Sequence, residues 1–315
     1  MIADKHGVVQ YSDDGNGNRP EISRNTLTDL LLSSLPKESI TWQQKVTAVK
    51  PAGNDKWSVE INGSGTKAFD LVIGADGAWS KVRPVLTDVK PHFSGVNCIT
   101  LNIPEINTKY PKLATMVGTG TYSASGSKKA VGVQRGSNKS ARIYLFISSD
   151  KEHFLKNTGL YSLSLDEMQQ RLVSEEEYFG TWGDNVKELI RTGFKEEKGG
   201  INEMPLYMLP TSHTWKHVPG ITVVGDAAHL MTPFAGEGVN SAMLDAVQLA
   251  EQIIEAVKAG KSLSNAVEEY EEDMFPRAKS IAEKTWSNLN MILSEDAPRG
   301  LVKFMKSHGP PPNES

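Results

Sequence analysis

Apolar residues recur at two different spacings along the first third of the chain. Leucines follow a helical spacing over 27–35, apolar and polar residues alternate over 45–49 and 57–61, and a continuous apolar run occupies 71–73. Helical spacing predicts an amphipathic helix, alternation predicts a hairpin, and a short apolar run bounded by turn residues predicts a buried strand. The polar, Gly/Asn-rich start at 1–20 predicts a loop.

The pattern changes at about residue 91. Residues 91–215 carry short strand-like stretches separated by Gly, Ser and Lys turns, followed by helical spacing over 164–191. This predicts an inserted domain in which an antiparallel sheet carries one or two helices. The buried-strand pattern returns at 220–226, and helical spacing then continues over 239–259 and 264–295. The sequence therefore predicts an α/β domain that is split by an α+β insert.

Composition and charge narrow the class of protein. Hydrophobic residues make up 38% and charged residues 23%, with a net charge of −4, which favours a soluble globular protein and gives no support for nucleic-acid binding. No apolar run reaches the roughly 18 residues that span a bilayer, and the start lacks the apolar core of a signal peptide, so we expect a cytoplasmic protein without a stable membrane anchor. The single Cys98 and the scattered histidines predict no metal site. The acidic residues within 268–273 predict a solvated helix face.

The strongest chemical pattern lies where a predicted buried strand ends, at 225–240. Ligands of open α/β sheets bind just outside such strand ends, and glycines without a Cβ let a flat ligand approach the backbone. A helix N-terminus also favours negative charge. The competing interpretation is a strand–turn–helix corner with glycines for packing and Asp226 as a helix cap. The residues that form the pattern are Gly225, Asp226, Pro233, Gly236, Gly238, Val239 and Asn240.

As a whole, this string resembles the second FAD motif of the class A flavoprotein monooxygenases, the aromatic hydroxylases typified by para-hydroxybenzoate and salicylate hydroxylases. The resemblance implies that Asp226 contacts the ribityl or pyrophosphate part of FAD and that residues 236–240 face the isoalloxazine ring. Features at 20–25 and 270–275 are most similar to the tetracycline-inactivating and salicylate-hydroxylase-like members.

Two further motifs support the resemblance. Residues 70–83, which contain Asp76 and Gly77, are similar to the family's fingerprint for FAD and the nicotinamide coenzyme. The alternative is an ordinary turn, with Arg83 on a solvated helix. Arg24 occupies the place of an arginine that lies near the flavin in the family, and the alternative there is a surface arginine.

The resemblance implies an incomplete Rossmann-like FAD-binding domain with an inserted antiparallel-sheet substrate domain and C-terminal helices. It also implies the reaction. NADPH or NADH would reduce FAD, O2 would form a C4a-hydroperoxyflavin, and oxygen would pass to an aromatic or polyketide-like small molecule. No catalytic acid or base can be assigned, and the substrate, the choice of coenzyme and the oligomeric state stay open. The predicted segments are 1–90 and 216–300 for the two parts of the FAD-binding domain, 91–215 for the substrate domain and 301–315 for a disordered tail. The residues expected to line the substrate pocket are Met204, Leu206, Met208 and Phe234.

One family feature does not occur in this sequence. The family begins with a strand, a Gly-x-Gly-x-x-Gly turn and a helix that hold the ADP half of FAD, whereas the Gly clusters at 15–17 and 118–120 follow no apolar strand. We therefore expect an N-terminally truncated chain with exposed apolar edges at 71–73 and 221–224. Two alternatives follow: a fragment or pseudoenzyme without stable FAD binding, and a related flavoprotein epoxidase or reductase.

Overall fold

The computed structural model describes residues 1–13, 21–53 and 56–308, with the backbone alone at Asn138 and His308. Residues 14–20 of the predicted N-terminal loop, residues 54–55 in the turn of the first hairpin and the tail after 308 lie outside the described residues. The strands are β1 (Ile2–Asp4), β2 (Val9–Tyr11), β3 (Val46–Gly53), β4 (Lys56–Ile61), β5 (Gly65–Phe69), β6 (Val72–Gly74), β7 (His92–Ile103), β8 (Thr121–Gly126), β9 (Lys129–Arg135), β10 (Ala141–Ser148), β11 (Asn202–Met208) and β12 (Ile221–Val223). The helices are α1 (Arg24–Ser33), α2 (Ile106–Lys109), α3 (Pro111–Val117), α4 (Phe154–Asn157), α5 (Leu165–Ser174), α6 (Asp184–Glu196), α7 (Asp226–His229), α8 (Gly238–Ala259), α9 (Leu263–Ile292) and α10 (Arg299–His308).

The chain divides into two compact units, each with its own hydrophobic core. Unit 1 consists of Met1–Ser34, Gly95–Leu206 and Leu289–Ser315, and unit 2 consists of Leu35–Ser94 and Tyr207–Asn288. The first 34 residues thus belong to the unit that contains most of the inserted segment. The predicted division into functional domains stays a prediction.

Unit 1 is built on a seven-stranded sheet in the order β11-β7-β10-β9-β8-β1-β2. β10 pairs antiparallel with both β7 and β9, and β8 pairs antiparallel with β9. In β10 every second residue from Ala141 to Ile147 is buried, and these side chains join one core with the apolar faces of α5 and α6. The alternation seen in the sequence therefore gives the predicted antiparallel sheet with helices on its apolar face.

One sequence prediction in unit 1 is wrong, and the structure decides a second one that was left open. The predicted loop at the start contains β1 and β2, because β1 pairs in parallel with β8, a long-range contact that three residues of local sequence cannot indicate. The predicted helical stretch 164–191 is two helices, α5 and α6. The chain turns between them, and Gly180 lies so close to the end of α5 that a Cβ would be 2.5 Å from the Ser174 carbonyl oxygen.

The predicted disorder of 301–315 is also wrong for residues 301–308, which form most of α10. Leu301, Val302 and Met305 recur at helical spacing and are partly shielded from solvent, whereas Lys303, Lys306 and Ser307 are exposed. An amphipathic face of this kind stabilises a short helix by packing. The residues after 308 lie outside the description.

Unit 2 contains a parallel pair, β6 and β12, and an antiparallel sheet in the order β3-β4-β5. The hairpin predicted from alternation is β3–β4, and the predicted long helix is α8, which ends at Gly260 in the left-handed conformation. Ile73 of β6 is 42% exposed, as expected of an apolar edge. The same expectation is wrong for β12, because Ile221 and Val223 are fully buried in the core that α8 and α9 help to form.

These observations confirm the predicted fold class, α/β with an antiparallel sheet in the inserted segment and helices at the C-terminal end. Within the described ranges, no helix combines the length and apolar character needed to cross a membrane. Most residues of the predicted site lie at the end of β12 and at the start of α8, both in unit 2.

Candidate functional site

The chain turns sharply where β12 ends. The Val224 N–H donates to the Gly74 carbonyl oxygen at 2.9 Å, which continues the pairing of β12 with β6. Gly225 then adopts φ +60°, and a Cβ there would be 3.0 Å from the Cβ of Ala242 on α8. Both the backbone conformation and the close approach of α8 therefore favour glycine at this position.

Asp226 is the first residue of α7, and its side chain is exposed. The N-cap is Gly225, and no side-chain hydrogen bond caps the helix, so Asp226 is not the cap proposed by the competing interpretation. Among the residues that the structure describes, its carboxylate has neither a hydrogen bond nor an ion pair. Its oxygens are therefore available to accept hydrogen bonds from a ligand.

The turn before α8 leaves its backbone open. Pro233 is exposed and begins a 3₁₀ turn that ends at Gly236, which has φ +68°, and Gly238 is the first residue of α8. A Cβ at Gly236 or Gly238 would meet no atom within 4 Å. Glu237, the N-cap, makes no side-chain capping bond, and Val239 and Asn240 are exposed. The backbone conformation explains Gly236, but neither packing nor conformation requires glycine at 238.

α9 holds this turn in place. The Thr285 hydroxyl donates to the Thr232 carbonyl oxygen at 2.7 Å and accepts from the Ala235 N–H at 3.1 Å. The Asn288 amide donates to the Phe234 carbonyl oxygen at 3.0 Å, and Thr285 is fully buried. These bonds fix the open backbone before α8 in one conformation, a role that no sequence pattern assigns to Thr285 or Asn288.

A buried carboxylate, Asp245 on α8, fixes the turn after β12. Its Oδ2 accepts from the Gly225 N–H at 2.8 Å and from His229 Nε2 at 2.6 Å, and its Oδ1 accepts from the Arg277 guanidinium at 2.8 Å. Burial acts to raise the pKa of Asp245, but the hydrogen bond and charge of His229, the Arg277 bond and the Gly225 N–H together hold it below its ordinary value of 3.8. Asp245 is thus an ionised, fully buried group that ties the strand end to two helices.

The loop at 75–83 is joined to the same turn by Arg83. Asp76 is exposed and accepts from the Lys81 N–H at 2.6 Å, and Gly77 has φ +77°. Arg83 is only 4% exposed, and its guanidinium donates to the Ala227 carbonyl oxygen at 3.1 Å and to the Ala78 carbonyl oxygen at 2.7 Å. Burial lowers its pKa, and the charge of Asp76 opposes that shift. The alternative that Arg83 lies on a solvated helix is therefore wrong.

The remaining predicted residues lie in both units. Arg24 is the exposed first residue of α1 in unit 1. Met204 and Leu206 lie in the part of β11 that belongs to unit 1; the first side chain is exposed and the second is buried. Met208, which is buried, and the half-buried Phe234 belong to unit 2. Their assignment to the flavin and to a substrate pocket stays a prediction.

Comparison with known proteins identifies the class of cofactor. Residues 214–285, which include the turn after β12 and the start of α8, match the model of the FAD binding domain. The solved structure of Klebsiella pneumoniae HpxO complexed with FAD and uric acid is similar in fold, with a TM-score of 0.71, 20% identity, and coverage of 91% of this chain and 68% of that one. A salicylate hydroxylase substrate complex has a TM-score of 0.70 at 18% identity over 90% of this chain and 70% of that one.

A relative shows the family directly. The monooxygenase penA of Penicillium thymicola is 37% identical over an alignment 349 positions long, gaps included, which covers 97% of this chain and 80% of the relative. The aligned region therefore includes residues of both units. The FAD-binding match covers the turn after β12, which Asp245 holds, and the turn before α8, which Thr285 holds. Together, this match and the relative show that the chain belongs to the class A FAD-dependent monooxygenases.

Proposed function

We propose that this FAD-dependent monooxygenase uses NADPH or NADH and O2 to hydroxylate an aromatic or polyketide-like small molecule, with the flavin held at residues 225–240. One observation carries the location of the flavin: Gly238 begins a helix although neither its conformation nor its surroundings require glycine. A planar ligand that approaches the backbone gives a reason for a residue without a Cβ there.

The described residues fit the chemistry of FAD. The Asp226 carboxylate is exposed and has no partner among them, so it can accept from the ribityl hydroxyls or lie beside the pyrophosphate arm. The first backbone N–H groups of α8 have no intrahelical partners, and with the helix dipole they favour the negative charge of a reduced flavin ring. When bound, FAD supplies the redox chemistry with O2, and the protein supplies position and electrostatics.

The loop at 75–83 is the proposed second contact of the cofactor and the coenzyme. Asp76 and Gly77 are open to solvent in part, while Arg83 fixes the loop to the Ala227 carbonyl oxygen from the buried side. A ligand bound by the turn at 225–229 would therefore lie beside a loop of fixed geometry.

The proposed substrate class follows from the names of similar proteins. The relatives and solved structures include a salicylate hydroxylase, a protein complexed with uric acid and a tetracycline destructase, and salicylate, uric acid and tetracycline are all ring compounds. We propose a planar or fused-ring substrate of this kind, with an apolar pocket to which Met208 and Phe234 of unit 2 contribute.

The proposed activity is tested by coenzyme oxidation. The purified chain is loaded with FAD, and NADH or NADPH oxidation and O2 consumption are followed with and without a panel of phenolic and polyketide ring compounds. A hydroxylase consumes both when a substrate is added and yields a product heavier by one oxygen atom. A reductase oxidises coenzyme without incorporating oxygen, an epoxidase adds its oxygen across a carbon–carbon double bond, and a chain that retains no flavin after loading is a pseudoenzyme or fragment.

Replacing Gly238 by leucine should weaken FAD binding and leave the fold intact. A leucine fits the helix and has a higher helix propensity by about 0.8 kcal/mol, but its side chain would occupy the open space before α8. We expect FAD affinity, measured by flavin fluorescence titration, to fall at least about tenfold, which corresponds to about 1.4 kcal/mol. Gly120→Leu is the matched control, because a Cβ there also meets no atom within 4 Å. Equal FAD affinity in the two variants would contradict the proposed flavin position.

Replacing Asp226 by alanine should lower FAD affinity by about 10- to 100-fold, because a hydrogen bond to a charged group contributes about 1.5–3 kcal/mol. The thermal unfolding temperature should not change, since the side chain has no partner in the described structure. Asp184→Ala is the control: Asp184 is also the first residue of a helix after a glycine N-cap, and its side chain is 93% exposed. An equal loss of affinity in both variants would argue against a specific contact.

Replacing Asp245 by asparagine should destabilise the chain and loosen the turn at 225–229. Breaking a buried ion pair costs about 3–5 kcal/mol, and we expect the lower end because Arg277 keeps some solvent contact. The depressed pKa of Asp245 means that its contribution is present above pH 3.8 and is lost as pH falls through the lower folded-state value.

Urea unfolding from pH 7 to pH 3 measures both the free energy of unfolding and its dependence on pH. The wild type should lose stability below about pH 4 more steeply than Asp245→Asn does, because the variant lacks this titration. Glu251→Gln removes an exposed carboxylate from the same helix and should behave like the wild type. Parallel pH profiles for the wild type and Asp245→Asn would refute the role given to the buried carboxylate.

A further inference from the structure

A second buried carboxylate of unit 2, Glu271 on α9, has a full set of donors. Its Oε1 accepts from Trp215 Nε1 at 2.9 Å and from the Thr222 hydroxyl at 2.7 Å, and its Oε2 is 2.8 Å from His217 Nδ1. Glu271 is 1% exposed, so the sequence-based assignment of this acidic stretch to a solvated helix face is wrong at this residue. The carboxylate fixes the orientation of the His217 ring.

The other ring nitrogen of His217 lies 2.9 Å from the hydroxyl of Ser264. A carboxylate can only accept, so Nδ1 carries the proton toward Glu271, and a neutral ring then has its lone pair on Nε2. The Ser264 hydroxyl therefore donates to Nε2. Serine, histidine and carboxylate are thus joined in the order in which a nucleophile, a general base and an orienting acid act in acyl transfer.

The position of the three groups lets the serine meet a substrate. Ser264 and Glu271 are seven residues apart on α9, which places them on one face of the helix, two turns apart. The His217 side chain is 13% exposed, and Ser264 is only partly shielded from solvent. Thr285, which holds the turn before α8, lies about 30 Å farther along the helix than Ser264, at 1.5 Å per residue. The group formed by Ser264, His217 and Glu271 is therefore separate from the proposed flavin site.

We propose that Ser264, His217 and Glu271 form an acyl-transfer site that hydrolyses small activated esters. The Ser264 oxygen bonds to the acyl carbon, its proton passes to His217 Nε2, and the bond from the acyl carbon to the leaving alcohol or phenol breaks as His217 returns the proton to it. Water then attacks the acyl-serine by the same proton path, and a carboxylic acid leaves. The backbone N–H groups of Leu263 and Ser264 belong to the first turn of α9, where an N–H has no intrahelical acceptor, so they can donate to the negative charge that develops on the acyl oxygen.

The same hydrogen bonds could act only as a structural tie between the segment before β12 and α9. A tie of this kind contributes to stability but gives Ser264 no greater reactivity than any other serine. Reaction of the serine with an acylating or phosphonylating reagent therefore separates the two roles, whereas a measurement of stability does not.

The test treats the FAD-loaded protein with p-nitrophenyl acetate and with a fluorophosphonate, and it locates the modified residue by peptide mass spectrometry. We expect one modified site, Ser264, and a burst of p-nitrophenol equal to the protein concentration. Ser264→Ala should abolish the burst, and His217→Gln should slow it by about 100-fold, the typical contribution of a general base. Ser280→Ala is the matched control, since Ser280 is an exposed serine of the same helix, and it should keep the wild-type rate; Ser262 is exposed too, but its hydroxyl accepts from the Asn265 N–H at the start of α9.

Labelling of the unaltered protein decides the question even if a variant fails to fold. Modification of Ser264 no faster than that of Ser280, or an unchanged burst in folded Ser264→Ala, would overturn the proposal. Folding of each variant is followed by circular dichroism and by retention of flavin, a readout that does not depend on the esterase reaction.

Discussion

The ion pair and hydrogen bonds of Asp245 are the interaction on which the candidate site depends. A carboxylate that is fully removed from water is tolerated only when donors replace its hydration, and here a backbone N–H, an imidazole and a guanidinium do so. The arrangement links the glycine that follows β12 to α8 and, through Arg277, to α9. The strand end, the turn and the start of the long helix are therefore fixed relative to one another before any ligand arrives, which lowers the entropic cost of binding.

α9 is the common support of unit 2. Along its length it supplies Glu271 to β12 and the segment before it, Arg277 to Asp245, and Thr285 to the turn that precedes α8. Each contact is polar and buried at least in part, so each costs stability when its partner is removed. From the sequence, this helix was expected to be a C-terminal element with a solvated acidic face. In the structure it positions both the turn before α8 and the group formed by Ser264, His217 and Glu271.

The sequence was informative where local pattern and local chemistry coincide. Alternation in β10, the helical spacing of α8 and the glycine at its end predicted elements that the structure contains, and the string at 225–240 predicted a ligand site at a strand end. The family that this string resembles is confirmed by the relatives. The identity of the ligand came from that resemblance and not from spacing, because the open backbone at Gly238 would fit any flat anionic molecule.

The supporting contacts could not be predicted because they join residues that are distant in sequence. Asp245 lies too far after Gly225 in the sequence for a helical or strand period to relate the two residues. Arg277 and Thr285 looked like ordinary polar positions of a long helix. The alternative of a solvated Arg83 stayed open for the same reason, since only the folded chain places the Ala227 carbonyl oxygen beside its guanidinium. β1 and β2 were missed because strands of three residues are stabilised by their pairing and carry no periodicity of their own.

Amide hydrogen exchange with and without FAD tests the central claim most directly. If the turn held by Asp245 and the turn held by Thr285 bind the flavin, FAD should slow exchange of the backbone N–H groups at 225–229 and 236–240. Exchange of the N–H groups in β8, β9 and β10 of unit 1 should not change. Protection confined to other segments, or no protection at 236–240 at saturating FAD, would contradict it.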